Sequence, residues 1–314
     1  MQRHLGAVKF VRLLAPLALL LWIGASHAFT QQPPARQRPP IIDMHLHAFS
    51  WDHQGNPPPA NPLTGKVPAA RTDKDAMEAS LAEMRRHNVV RAVVGGRPEH
   101  VSRWQAADPE RIIGGTMLPL PDVVVLRREF LAGRLGVLAE LALQYQGVSP
   151  NDPQMEPYWA LAEELDIPVG LHSGLAPPNT TYQCCPKFRA GLGNPALLEE
   201  VLVRHPKLRV YLMHAGYPYL QETKAIMHLY PQVYADLGAI SWLRPREEFH
   251  EYLRALVRAG FGKRLMFGSD QMVWPEGIGM AIEGVESASF LTPEQNRDIF
   301  YNNALRFLRL DERK

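Results

Sequence analysis

Eight short apolar or β-branched runs recur along the chain and alternate with stretches of helix length and amphipathic pattern. The pattern predicts strands at Ile41–His47, Val90–Val94, Ile112–Leu118, Leu135–Leu141, Pro168–His172, Leu208–His214, Val233–Leu237 and Arg264–Phe267. It predicts helices at Asp75–His87, Pro157–Leu165, Pro195–His205, Leu220–Tyr230, Pro245–Ala259 and Pro293–Leu308. Asp75 complements the helix dipole in a first turn, and Pro293 stands where no N–H partner is needed. Strand-then-helix units in series make an α/β protein with a parallel sheet, and eight is the number that closes a (β/α)8 TIM barrel. A doubly wound open sheet is the second choice, but no glycine-rich phosphate loop follows the first strand. About 270 residues remain from Ile41 onward, without internal linker or repeat. That is one domain, 41–314, with long loops after strands one and five.

The first 28 residues hold no acidic residue. They carry Arg3, Lys9 and Arg12, then "LLAPLALLLWIG", then small residues at Ser26 and Ala28. This is the layout of a cleaved secretory signal peptide, expected to be cut after Ala28. The rival reading is a membrane anchor, but the apolar run is shorter than the roughly 20 residues that span a bilayer, and Pro16 interrupts it. No cysteine stands directly after the cut and no twin arginine precedes it. Residues 29–40, with "TQQPPARQRPP", read as an extended proline-rich tether. The formal net charge of +2 depends on the leader: without it the balance is 31 basic against 32 acidic residues. Neither a nucleic acid nor, after cleavage, a membrane is an expected partner. A small-molecule substrate is, and a homo-oligomer is compatible with the sequence.

The first strand, "IIDMHLHAF", puts two histidines on an apolar run. Alternate residues of a strand share a face, so His45 and His47 point the same way, about 6–7 Å apart along the backbone. One histidine there is usually a hydrogen-bonded core residue; two converging imidazoles suit a metal ion. Strand five ends "VGLHSG" with His172 and strand six ends "VYLMHAG" with His214. "FGSD" after strand eight delivers Asp270, and "GVLAEL" places Glu140 near the end of strand four. The C-terminal ends of barrel strands open on one face, so four histidines and two carboxylates collect at one mouth.

"DMHLH", "GLHSG", "LMHAG" and "FGSD" resemble the metal-binding strand ends of the amidohydrolase superfamily. The run "LVRHPKLRVYLMHAG" and the closing "YNNALRFLRL" are similar to its amidohydrolase-related (type 2) branch, from Ile41 to Leu310. The resemblance implies a (β/α)8 barrel with one or two divalent ions, zinc being the first expectation. It implies that His45, His47, His172 and Asp270 bind metal, with His214 either a ligand of a second ion or a catalytic, substrate-orienting histidine. Two-metal members often bridge their ions with a carboxylated lysine on strand four. This chain has Glu140 and no lysine there, so Glu140 either bridges two ions, binds one, or bonds a ligand histidine.

Such a site implies hydrolysis by an activated water near pH 7, with Asp270 carrying the proton and His214 helping to polarise a carbonyl. Ser269 lacks the G-x-S-x-G elbow of a serine nucleophile. An amide, ester or lactone of a small molecule is the expected substrate. A decarboxylase or hydratase of the same branch is the first alternative, and a non-catalytic periplasmic metal- or ligand-binding barrel the second. Trp51 and His53 in the first loop, Lys187 and Arg189 in the fifth, and Tyr217, Trp242 and Trp274 after later strands are candidate pocket residues, with solvated loop charges and aromatic core the plainer readings. Adjacent Cys184 and Cys185 either close a vicinal disulfide, pair between chains, or stay thiols. The leader pattern generates one direct test. N-terminal sequencing of exported protein is expected to start at Phe29, and an intact, membrane-bound chain would refute the cleavage.

Overall fold

The computed structural model describes residues 38–174 and 176–310. The leader expected at 1–28, most of the tether expected at 29–40, and Leu175 lie outside the described residues. Eight strands follow in chain order: β1 Ile41–Ala48, β2 Val89–Gly96, β3 Ile112–Gly114, β4 Leu138–Leu141, β5 Val169–His172, β6 Val210–Met213, β7 Val233–Asp236 and β8 Leu265–Met266. All neighbouring pairs are parallel, in the orders β1-β2-β3 and β4-β5-β6-β7-β8. Backbone bonds join the two sheets at both seams. The amides of Gly136 and Val137 donate to the Gly114 carbonyl at 2.7 and 3.2 Å, and Thr116 N–H donates to Ala139 at 2.7 Å. Across the other seam Met44 N–H donates to Phe267 at 2.9 Å and Asp270 N–H to His45 at 2.7 Å. The result is a parallel α/β barrel of the TIM type.

Most strand boundaries shift by one or two residues from the sequence reading, and two shift further for identifiable reasons. β3 stops at Gly114, not Leu118, because after Gly115 the Thr116 amide turns across the seam to Ala139, and Pro119 and Pro121 have no N–H to offer a ladder. β4 starts at Leu138, not Leu135, because two successive amides converge on one carbonyl before it. Helices at Pro98–Ala107, Val123–Leu131 and Gly277–Glu286 were not expected. The second begins with three valines, which read as extended, yet the Asp122 side chain caps it by accepting Val124 N–H at 2.8 Å. The third carries Gly277, Gly279 and Gly284, poor helix formers that tertiary packing overrides. The expected helix Pro293–Leu308 is helical throughout, but a π-helical segment, Asp298–Asn302, separates Pro293–Arg297 from Asn303–Leu308. There the Ile299 carbonyl accepts Phe267 N–H at 2.8 Å from the barrel wall, and the wider turn accommodates it.

Burial divides the strands into two faces. Ile42, Met44, Val93, Val137, Ala139, Tyr211, Met213 and Met266 pack with one another and with Ala304, Phe307 and Leu308. Leu46, Ala48, Val94, Leu171 and Leu212 pack with the helix layer. Strand alternation therefore breaks within β1, where the register with β2 shifts between Asp43 and Leu46. This bulge places Met44 in the apolar interior and still leaves His45 and His47 facing the mouth. Beneath them the Tyr211 ring crosses the interior and donates to the Met44 carbonyl at 3.0 Å. Position 170 has to be glycine, since a Cβ there would lie 2.5 Å from the Tyr211 ring and hydroxyl. Among the described residues no helix is long and apolar enough to cross a membrane. Tyr211→Phe is expected to cost about 1–3 kcal/mol in urea unfolding, because a buried acceptor loses its donor.

Candidate active site

Each predicted group reaches the mouth from its own strand end. His45 and His47 come from β1 and their rings lie 5.1 Å apart. Glu140 comes from β4, His172 ends β5, and His214 follows β6. Asp270 follows β8 at a backbone φ of +50°, a conformation held by the bond from its amide to His45. His214 also has a positive φ, +58°, with its amide donated to Asp236 Oδ1 at 3.1 Å. Both turns come just after their strands and bring the His214 and Asp270 side chains within 3.9 Å of one another.

Glu140 sits between two pairs of imidazoles. Its Oε1 lies 2.5 Å from His172 Nδ1, 3.6 Å from His214 Nε2 and 3.9 Å from His45 Nε2. Its Oε2 lies 3.5 Å from His47 Nε2. Asp270 Oδ1 lies 3.0 Å from His47 Nε2 and 3.7 Å from His45 Nε2, and its Oδ2 is 3.9 Å from His214 Nδ1. Below this ring of groups sit two carboxylates that the sequence reading did not single out. Asp43 Oδ1 accepts the amides of His45 and Ser269 at 3.0 and 2.9 Å. Asp236, fully buried at the end of β7, lies 3.2 Å from His45 Nδ1. A carboxylate at a strand end is the signal that drew attention to Glu140, and Asp236 in "VYADLGA" carries it too. Gln271, also unanticipated, brackets His47 by accepting its N–H and donating to its carbonyl, at 3.0 and 2.8 Å.

Electrostatics express the excess of negative charge. Burial works against charge on His45, but Asp270, Asp236 and Glu140 outweigh it and push the imidazole up to about 10. Burial would raise Asp270 as well, yet the imidazoles of His45, His47 and His214 bring it to about 2. Glu140 is likewise held well below the ordinary carboxylate range by His172, His214 and His45 against its burial. Asp43 goes the other way, pushed up to about 7 by burial despite hydrogen bonds from Ser269 and His45. Burial, then Glu140 and Asp270, raise the Tyr145 phenol, which stays protonated beside the His172 ring at 5.3 Å.

A divalent cation fits this donor set. Asp270 Oδ1 and both ring nitrogens of His45 are buried without a well-aligned hydrogen-bond partner. Acceptors that face one another in a dry site need a cation between them. Two groups of ligand atoms, each lying within 4.8 Å of one another, share Glu140: one with His45 and His47, the other with His172 and His214. Imidazole and carboxylate donors suit zinc and similar first-row ions.

The remaining predicted residues are not among the six groups gathered at the mouth, and the two cavities that His53, Lys187 and Arg189 line include none of the six. His53 stacks on Phe49 at 3.8 Å, and Phe49 on His47 at 4.2 Å, so His53 stands two rings from the site. It lines a cavity of about 550 Å³ together with Arg97 and His100. Trp51 is half-buried, with its amide donated to Asp73 at 3.1 Å. Lys187 and Arg189 line a second cavity of about 880 Å³, where Arg189 also donates to the carbonyls of Pro186 and Phe188. Tyr217 hydrogen-bonds Glu248, with the Arg244 guanidinium over its ring. Trp242 and Trp274 are buried and edge to face, their indole N–H groups donated to Ser269 and Pro59 carbonyls. Cys184 and Cys185 are joined as a disulfide. Phe188, whose amide bonds the Cys185 carbonyl, packs on Tyr145 and through it reaches His172.

A parallel barrel with histidines and carboxylates gathered at the C-terminal ends of its strands defines an α/β-barrel enzyme. Residues 42–310 match the sequence model of the amidohydrolase family, and the chain belongs to that family. Protein fluG of Emericella nidulans is similar at 24% identity over 160 residues, which is 46% of this chain and 18% of that protein. The chain thus spans under a fifth of that relative's length. An uncharacterised TIM-barrel protein of Bordetella bronchiseptica superposes with a TM-score of 0.65 at 19% identity, covering 86% of this chain and 99% of the other. A probable 2-pyrone-4,6-dicarboxylic acid hydrolase of Acinetobacter baumannii gives 0.60 at 17% identity, over 86% and 99%. A 2,6-dihydroxybenzoate decarboxylase from Rhizobium gives 0.57 at 15% identity, over 88% and 99%. At these identities the structural likeness speaks for the fold.

The position of Glu140 between two imidazole pairs generates a prediction. Glu140→Gln is expected to lower bound metal, measured by elemental analysis, from about two ions per chain to one, since the amide loses the charge that holds two cations together. One ion in both proteins would assign Glu140 to a single site.

Proposed function

We propose that this protein is an exported, zinc-dependent hydrolase that acts on an amide, ester or lactone of a small molecule. The carrying observation is Asp270. It is buried, ionised, and aims an oxygen without a donor between His45 and His47. His45, His47, Glu140, His172, His214 and Asp270 would hold the ion or ions. A bound zinc supplies Lewis acidity and makes hydroxide available near pH 7. The chain's own groups would then do the following. Asp270 takes the proton of the attacking water and returns it to the leaving group, so no covalent intermediate is needed. His214 gives its Nδ1–H to the Gly238 carbonyl at 2.9 Å and keeps Nε2 toward the reacting side. Tyr145, kept protonated, can donate to an oxygen that becomes negative. The Phe49 and His53 rings wall one side of the approach.

The name of the Acinetobacter baumannii neighbour supports hydrolysis. Decarboxylation is the second reading, favoured by the cations Lys187 and Arg189 lining one cavity and by the name of the Rhizobium neighbour. Against it stand the carboxylates Glu140, Asp236 and Asp270, which repel a carboxylate substrate unless an ion neutralises them. Export is supported by the leader pattern of residues 1–28 and by the Cys184–Cys185 disulfide, since such bonds persist in oxidising compartments.

The test is a screen of esters, lactones and amides in ¹⁸O-labelled water. Turnover is expected to place one label in a product carboxylate, to vanish on chelation and to return with zinc. Asp270→Asn is expected to lower the rate by about 10²- to 10⁴-fold. Full activity in metal-free protein would overturn the metal centre, and carbon dioxide release without label would overturn hydrolysis.

A further inference from the structure

β7 supplies none of the groups predicted for the mouth, yet its C-terminal end touches two of the histidines from behind. Asp236 Oδ2 lies 3.2 Å from His45 Nδ1, within hydrogen-bond distance but poorly aligned, and neither buried atom has any other hydrogen-bond partner. Asp236 Oδ1 is already engaged, accepting the amides of His214 at 3.1 Å and Gly238 at 2.8 Å. Two residues on, the Gly238 carbonyl accepts His214 Nδ1–H at 2.9 Å. The opposite nitrogens face the mouth: His45 Nε2 toward Asp270 and Glu140, His214 Nε2 toward Glu140. The fit at this corner is close. A Cβ at position 238 would lie 2.5 Å from His45 Nδ1, so only glycine admits the ring here.

A ring nitrogen can offer a lone pair to a cation only when the proton sits on the other nitrogen, and the partner of that other nitrogen decides which it is. We propose that the end of β7 sets the histidine tautomers of this site: Asp236 is a positioning residue that keeps a proton on His45 Nδ1, while the Gly238 carbonyl does the same for His214. Both Nε2 lone pairs are thereby turned to the mouth. The Nε2 lone pairs and their consequence for metal binding rest on the metal-centre reading above; the proton on His45 Nδ1 does not. Direct ligation by Asp236 is the competing arrangement, because ligand atoms of His45, His214 and Asp236 also fall within 4.8 Å of one another. The geometry disfavours it. Asp236 is fully buried, one of its oxygens already serves two amides, and the other lies on the Nδ1 side of His45, whereas Glu140 and Asp270 face Nε2.

Asp236→Asn separates these cases. The amide oxygen can keep the two backbone N–H bonds, so the turn after β7 survives, while its NH₂ group faces His45 Nδ1 and favours the opposite tautomer. The full-length protein, labelled with ¹⁵N-histidine, is expected to show a strongly downfield imidazole N–H proton assignable to His45 Nδ1, with or without zinc. Asp236→Asn is expected to lose that signal, to keep the corresponding His214 signal, and to bind zinc about 10- to 100-fold more weakly in competition with a chelator. Absence of the His45 Nδ1–H signal from zinc-loaded wild-type protein overturns the proposal, as does unchanged zinc affinity in a folded Asp236→Asn. If the variant fails to fold, the wild-type spectrum alone decides. If wild-type protein binds no zinc, the metal-centre reading fails, and loss or retention of the His45 Nδ1–H signal in metal-free Asp236→Asn still decides the role of β7.

Discussion

The concentration of buried negative charge at the barrel mouth is the constraint on which the rest of this structure turns. Glu140, Asp236 and Asp270 sit among four imidazoles almost out of water, with Asp43 below them, where an unpaired charge is costly. Each carboxylate is answered differently. Asp43 takes two backbone amides, Asp236 takes two amides and faces one imidazole, and Glu140 is shared among imidazoles. Asp270 keeps an oxygen with no donor. The imidazole pushed up to about 10 at His45 expresses the same imbalance: the site draws positive charge to itself, as a proton or as a metal ion.

The scaffold makes that concentration possible by departing from regularity at a few points. A bulge in β1 lets Met44 seal the apolar interior while His45 and His47 face the mouth. Left-handed turns at His214 and Asp270 aim two side chains inward just after their strands end. Below the site, Tyr211 and the helix Asn303–Leu308 close the interior with apolar packing, so the polar layer has a dry floor. Strain, bulge and cluster occur at the same level of the barrel, as expected where function rather than stability sets the backbone.

Much of the fold was legible because its signal is local and repeated. All eight strands were found, for each is an apolar run between turn residues. The missed helices were those whose signal is weak or contrary: three valines at the start of Val123–Leu131, and three glycines in Gly277–Glu286. In the site, His45, His47, His172 and His214 stood out because imidazoles at the ends of apolar strands are unusual. Glu140 and Asp270 could be placed on the same face. Asp236 and Asp43 could not be singled out, because a lone aspartate near a strand end looks like any turn residue until the histidine it touches, nearly 200 positions away for Asp236, is brought beside it.

By itself, then, the sequence determined the periodic alternation of strand and helix and the chemical types delivered to the strand ends. Both are written in residue spacing, which local sterics and burial convert directly into structure. Tertiary structure alone decided which atoms face which. Glu140 directs one oxygen to His172 and His214 and the other to His47, and Asp236 stands behind His45 while Asp270 stands before it. Those relations depend on closing the ring of strands, and the closure includes hydrogen bonds between β1 and Phe267 and Asp270 just after β8, more than 200 positions away in the chain.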